Sequence, residues 1–169
     1  LAEAARDALR LDRLLLVVAA GQPLKPAGPA APAEDRLAMV RLAVRGRPGL
    51  EVSDLEIRRP PPSYTVDTLR EIRRGLPPGA EVFLLLGADS LADFPRWREA
   101  EAIRTMAVLV GCPRPGAPAP AGCDRVLEAA TPDVSSTGLR RGLAAGEDVS
   151  GLVPGDVAAY AAARGLYRG

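Results

Sequence analysis

Three short, unbroken apolar runs constrain this chain more than any other feature. They are Leu14-Leu15-Leu16-Val17-Val18, Val82-Phe83-Leu84-Leu85-Leu86 and the stretch at residues 107–111. None alternates with polar residues, and each is bounded by loop-forming residues. Strand-length runs of that kind fit strands covered on both faces, the mark of a parallel sheet. Helical patterns lie between them. Residues 1–11 repeat Leu and Ala at helical spacing. Residues 33–45 place Leu37, Val40 and Val44 on one face, and residues 65–74 place Val66, Leu69 and Ile72 on one face. A strand joined through a helix to a parallel strand is a crossover unit. The expected fold is therefore α/β, a doubly wound parallel sheet, with residues 1–169 forming a single domain.

The remaining elements follow the same alternation. Residues 50–57 alternate and predict a strand towards the edge of the sheet. Helices are expected at 88–94 and 99–106, either side of Pro95. A short last strand is expected at 126–129, with closing helices at 136–145 and 154–164. Residues 21–32 and 112–124 are rich in Pro and Gly and predict long loops.

Composition excludes several classes. There are 22 basic and 21 acidic residues, a formal net charge of +1, so the chain lacks the basic excess of a nucleic-acid binder. Neither nucleic acid nor a membrane is an expected partner, since the longest apolar run, residues 14–20, is far below a spanning length. Cys112 and Cys123 cannot build a disulfide framework, and a cytoplasmic location is the simplest expectation. There is no histidine. The first residue is Leu1, already inside a helical pattern, so the expectation is that the true N-terminus lies upstream.

In a doubly wound sheet, ligands bind beyond the C-terminal ends of the strands. The segments there are residues 19–25, 87–90 and 111–116, and the unusual residues fall in them. Gly87-Ala88-Asp89-Ser90 follows an apolar strand directly. Asp89 could accept from two ribose hydroxyls or could cap the next helix. Ser135-Ser136-Thr137-Gly138-Leu139-Arg140 opens a helix. It is either an anion site, with Arg140 pointing back from one turn in, or an ordinary serine cap. Trp97, the only tryptophan, sits in Phe94-Pro95-Arg96-Trp97-Arg98. It could stack on an aromatic ligand or hold that connection by packing. Ser63-Tyr64-Thr65-Val66-Asp67-Thr68 starts a helix that could bind a carboxylate, or simply be capped. Lys25, the only lysine, and Arg114 each lie in Pro-rich loops and could be phosphate contacts or solvated cations.

Taken in order, these motifs resemble one family. Ser63-Tyr64-Thr65-Val66-Asp67-Thr68-Leu69, Leu86-Gly87-Ala88-Asp89-Ser90, Phe94-Pro95-Arg96-Trp97, Arg114-Pro115-Gly116, Val134-Ser135-Ser136-Thr137-Gly138-Leu139-Arg140 and Val153-Pro154 with Gly165-Leu166-Tyr167 follow one another. The chain is similar to the bacterial nicotinate-nucleotide adenylyltransferases over nearly its whole length. The Ser-x-x-Arg helix alone would fit the wider nucleotidyltransferase superfamily; the Ser-Tyr-Thr and Pro-x-Trp pair points to the nicotinate branch.

The resemblance implies transfer of the adenylyl group of ATP to nicotinate mononucleotide, giving deamido-NAD and pyrophosphate, with Mg²⁺ accompanying ATP and no metal ligand set of the protein's own. It implies Gly87, Asp89, Ser136, Thr137 and Arg140 at ATP, and Thr65, Trp97, Arg98 and Arg114 at the mononucleotide. Lys25 and Arg140 are the implied catalytic cations, and homo-oligomerisation is left open. The family opens with a strand, a Gly-Gly-x-Phe-Asp-Pro turn and a His-x-Gly-His helix start, none of which this chain contains. It also has Leu24-Lys25 where members often carry His-Lys. The chain by itself is therefore expected to be inactive and poorly stable. The rival expectations are an adenylyltransferase of the pantetheine-phosphate type and a nucleotide-binding module without catalysis.

Overall fold

The computed structural model describes residues 1–21, 31–116, 118–129, 134–149 and 151–167 of the 169-residue chain. In chain order the elements are α1 (Ala2–Ala8), β1 (Leu14–Val17), α2 (Ala33–Val44), β2 (Leu50–Ser53), α3 (Thr65–Arg74), β3 (Phe83–Gly87), α4 (Ala88–Asp93), a 3₁₀ turn (Phe94–Arg96), α5 (Ala100–Met106), β4 (Val108–Cys112), β5 (Arg125–Val126), α6 (Ser136–Ala145) and α7 (Gly155–Ala163). Helices alternate with parallel strands, as the apolar runs require. The chain divides into two compact units, Leu1–Arg10 with Ser63–Asp133 and Leu11–Pro62 with Val134–Gly169.

The first unit holds a three-stranded parallel sheet in the order β3-β4-β5. Phe83 pairs with Val108 and the register runs on to Gly87 opposite Cys112. The central strand β4 is the best covered, with Leu109 and Val110 fully buried. Around it Val66 and Leu69 of α3, Leu91 of α4, Phe94 and Ile103 form one core cluster. That cluster accounts for α3: its apolar residues recur one turn apart and face the sheet. Arg73 fixes the far end of the helix, donating to the carbonyls of Met106 and, at 2.8 Å, Ala80. Pro95 is accommodated because the chain tightens into a 3₁₀ turn there, where the ring occupies an early position that needs no N–H partner.

The second unit holds a two-stranded parallel sheet, β1 beside β2, with Leu14 opposite Leu50 and Val17 opposite Ser53. α2 is the crossover between the two strands. β1 and most of β3 are half-buried rather than covered on both faces. Among the described residues each has a neighbouring strand on one side only.

β2 stops at Ser53, short of the expected residue 57. Ser53 Oγ accepts from the Leu55 amide at 3.3 Å, and the Asp54 carbonyl accepts from the Arg58 amide at 3.0 Å. Short polar side chains offer the backbone a turn in place of the sheet ladder. Arg36 of α2 gathers the backbone just past β1, donating to Ala19 O at 2.5 Å and Ala31 O at 3.1 Å. β5 is at Arg125–Val126 rather than 126–129, and Cys112 and Cys123 are both free thiols.

Candidate functional site

The strand register of the first unit brings two of the expected site residues together. Gly87 and Cys112 are opposite each other at the C-terminal ends of β3 and β4. Two residues beyond each lie Asp89 and Arg114, and the Arg114 Nη2 donates to Asp89 Oδ2 at 3.1 Å. The Asp89 side chain is 87% exposed. It does not cap α4, whose N-cap is Gly87; it is the second residue of that helix. A Cβ built on Gly87 meets no described atom within 4 Å, so the backbone at this corner borders open space.

A second grouping forms around the start of α3. Thr65 is the first helical residue, following Tyr64 in extended conformation with no side-chain cap from Tyr64 itself. Trp97 ends the 3₁₀ turn, its amide donating to the Phe94 carbonyl at 2.9 Å. Its ring is tilted against Phe94 at a centroid distance of 5.5 Å, half-buried beside the core cluster. Arg98 then lies with its guanidinium 4.8 Å from the centre of the Tyr64 ring, and its Nη1 is 4.0 Å from Asp67 Oδ2. Thus the helix start carrying Thr65 and the turn carrying Trp97 and Arg98 are held side by side. A cation over an aromatic face is attracted by the ring quadrupole.

The second unit carries the serine-rich helix. Ser135 is the N-cap of α6, and its Oγ accepts from the Gly138 amide at 3.0 Å. Ser136 and Thr137 form the exposed first turn. Arg140 points back along the helix and donates to Thr137 Oγ1 at 3.4 Å. Ser135 thus caps the helix, and the Arg140 guanidinium folds back over its first turn. Lys25 lies outside the described residues.

Sequence reasoning missed a charged group beside Trp97. Arg70 donates to both oxygens of Glu99, at 3.2 and 2.5 Å, and to Asp67 at 3.4 Å. The Arg70 guanidinium holds the Glu99 carboxyl below the ordinary glutamate range, against a smaller opposing effect of desolvation, with Arg98 adding to the lowering. Glu99 itself adopts φ +53°, ψ +47°. No periodicity or motif signals a left-handed glutamate; only the backbone path shows it.

Among the described residues no group of three or more Cys, Asp or Glu side chains comes close enough to hold a metal ion. None of the described helices is long and apolar enough to cross a membrane.

Comparison with known proteins adds the following. The model of the cytidylyltransferase-like family matches residues 1–142. A protein of Roseiflexus sp. (strain RS-1), named "Probable nicotinate-nucleotide adenylyltransferase", is 47% identical, covering 99% of this chain and 89% of its own length. A protein of the same name from Thermus thermophilus is also 47% identical, with the same coverage of each chain. Among solved structures, the nicotinic acid mononucleotide adenylyltransferase of Plasmodium falciparum complexed with NaAD superposes with a TM-score of 0.71. It is 16% identical, covering 92% of this chain and 82% of the other, and so shares the fold.

Proposed function

This chain belongs to the cytidylyltransferase-like family and, within it, to the nicotinate-nucleotide adenylyltransferases, and on that premise we propose how its residues serve the reaction. The reaction moves the adenylyl group of ATP onto nicotinate mononucleotide, releasing pyrophosphate and forming deamido-NAD in NAD biosynthesis. The phosphate of the mononucleotide attacks the α-phosphorus of ATP, the bond to the β,γ-pyrophosphate breaks, and no covalent enzyme intermediate is needed. The protein's work is then to position two nucleotides and to offset charge as it moves.

The observation that carries the residue assignments is the junction of Thr65 with Trp97 and Arg98, held by Arg98 against Tyr64. A helix start favours an anion, because its amides and the helix dipole both point outwards there. The nicotinate carboxylate would lie on the amides at Thr65 and near the backbone of Arg98, with the pyridine ring on Trp97. An acid and an adjoining aromatic plane are the two features that distinguish nicotinate from other acceptors.

Asp89 would accept from the ribose hydroxyls of ATP, whose adenosine would run along the open corner at Gly87. In the second unit, the first turn of α6 at Ser136 and Thr137, with Arg140 folded over it, suits the phosphates of ATP. Arg114 would meet the phosphate of the mononucleotide once released from Asp89, and Lys25 would add charge at the phosphates. Mg²⁺ takes few carboxylates and prefers phosphate and water oxygens. The ion would be held chiefly by the phosphates of ATP and by water. It would supply charge neutralisation at the triphosphate. Location in the cytoplasm follows from the substrates on this reading.

The test is direct. The chain, with the family's Gly-Gly-x-Phe-Asp-Pro to His-x-Gly-His segment supplied ahead of Leu1, is incubated with ATP, Mg²⁺ and either nicotinate mononucleotide, its amide or phosphopantetheine, and pyrophosphate release is followed. Preference for the acid supports the reading. Preference for phosphopantetheine, or tight nucleotide binding with no turnover of any acceptor, favours the rival readings.

A further inference from the structure

We propose that Arg70 and Glu99 are positioning residues for nicotinate recognition, locking the Trp97–Arg98 turn against α3 in the conformation that receives the pyridine ring. This rests on the assignment of Trp97 and Thr65 to the mononucleotide.

Three observations carry it. First, Glu99 is a non-glycine residue in the left-handed region, φ +53° and ψ +47°, directly after Arg98. An L-residue with a long side chain is disfavoured there and stays only where its surroundings over-determine it. Second, a contact that helps to hold it is visible. Arg70, in the second turn of α3, meets Glu99 with two donors on two oxygens, at 3.2 and 2.5 Å. A two-point guanidinium–carboxylate contact fixes orientation as well as distance. Third, the pair is a poor stabiliser in its own right, since both side chains are 40% exposed. Ion pairs that exposed contribute little to folding. A pair that adds little to folding yet fixes orientation at two points acts on the geometry of the turn more than on stability.

The geometry is that of a hinge held shut. The left-handed step at Glu99 turns the chain from the extended Trp97 into α5. It thereby sets where the Trp97 ring and the Arg98 backbone stand relative to Thr65 at the start of α3. Asp67 joins the lock from the same helix, within 3.4 Å of Arg70 and 4.0 Å of Arg98. Releasing Arg70 or Glu99 would leave every atom that contacts the mononucleotide in place chemically and loosen only their arrangement.

Trp97 is the only tryptophan, so its emission reports on this corner directly. Quenching of that emission by nicotinate mononucleotide gives a Kd, and calorimetry gives the Kd for ATP. Three variants are compared with the wild type: Arg70→Gln, Glu99→Gln and Glu99→Gly. Each should raise the Kd for the mononucleotide by up to about tenfold, the worth of a stacked aromatic contact. The Kd for ATP should not move. Glu99→Gly is the decisive variant. Glycine accepts this φ without strain, so its melting temperature should hold or rise while mononucleotide binding weakens.

Unchanged mononucleotide binding in all three overturns the proposal, with wild-type quenching intact showing that the Trp97 assignment survives it. Equal losses for ATP and mononucleotide, with a fallen melting temperature in Glu99→Gly as well, also overturn it, by reducing the pair to a fold element. A wild-type Trp97 that ignores the mononucleotide overturns both this proposal and the assignment beneath it.

Discussion

Asp35 and Tyr160 lie 125 residues apart in the chain, yet the Tyr160 hydroxyl donates to Asp35 Oδ1 at 2.8 Å. Arg164 donates to the same oxygen from Nε at 3.0 Å. Asp35 is only 4% exposed and sits in the first turn of α2, whereas Tyr160 belongs to α7 and Arg164 ends it. The Tyr160 hydrogen bond holds the Asp35 carboxyl below the usual aspartate range; desolvation opposes it, and Arg164 adds to the lowering. A group whose folded pKa is depressed contributes stability above its unfolded value and loses it as pH falls through the folded one. The α2–α7 clasp should therefore be at full strength at neutral pH. It should weaken below about pH 4, the ordinary aspartate value. Asp35→Asn should lower the melting temperature at pH 7 and flatten its decline towards acid. A variant with the wild-type acid slope would show that other carboxylates dominate.

Gly111 offers a purely steric test. A Cβ built there would lie 2.5 Å from Pro120 Cβ and 2.9 Å from Cys123 Sγ. Shifting Pro120 and Cys123 away would pull on the neighbouring Asp124 amide, which donates to Leu109 O at 2.9 Å. Gly111→Ala should cost about 1–3 kcal/mol, the usual penalty of overpacking. Gly87→Ala meets no such neighbour and should leave the melting temperature close to wild type. Chemical denaturation of the two variants side by side checks the contrast.

The apolar runs make β1, β3 and β4 legible as strands, although only β4 is covered on both faces; β1 and most of β3 are half-buried among the described residues. α3 begins at Thr65 and ends at Arg74, where its periodicity begins and ends. What stays hidden depends on pairings between distant residues. Arg70 and Arg73 look like ordinary surface cations in the helix pattern. Their carboxylate and carbonyl partners lie 29 and 33 residues away. In the sequence Asp89 is poised between a cap and a ligand contact; the helix start at Ala88, with Gly87 as its N-cap, decides that Asp89 caps nothing. The expected β2 runs too far because alternation continues past Ser53, while the local bonds of Ser53 and Asp54 end the strand.

The Asp89–Arg114 pair should act on substrates rather than on folding. Its side chains are 87% and 46% exposed, and pairs that open to water contribute little stability. Both partners are nevertheless assigned to nucleotides, so ligand binding must exchange this contact for others. With the family's His-x-Gly-His segment supplied ahead of Leu1, Asp89→Asn should raise the KM for ATP, and Arg114→Ala should raise that for nicotinate mononucleotide, each with a melting temperature near wild type. Raising the salt concentration should weaken the pair and mute any coupling between the two substrates. Melting temperatures that drop sharply in either variant would identify the pair as structural instead.

Trp97 packs against the core and, on the proposed reading, also receives the pyridine ring; separating the two is the sharpest test of the nicotinate assignment. Its ring packs against Phe94 at 5.5 Å and borders the core cluster, so Trp97→Ala must destabilise the first unit whatever else it does. A fallen melting temperature is therefore uninformative, and the discriminating quantity is the ratio of the two KM values measured well below the transition. Stacking contributes roughly 0.5–1.5 kcal/mol beyond buried area. With the family's His-x-Gly-His segment supplied ahead of Leu1, Trp97→Ala should raise the KM for nicotinate mononucleotide about tenfold or more and leave that for ATP nearly unchanged. Trp97→Phe keeps a stacking face and a large apolar body, and should recover most of both the stability and the mononucleotide KM. The preference for the acid over the amide should persist in both variants if, as proposed, it belongs to the helix start at Thr65 and not to the ring. Equal KM changes for the two substrates in Trp97→Ala would leave Trp97 as packing alone. The nicotinate site would then rest on Thr65.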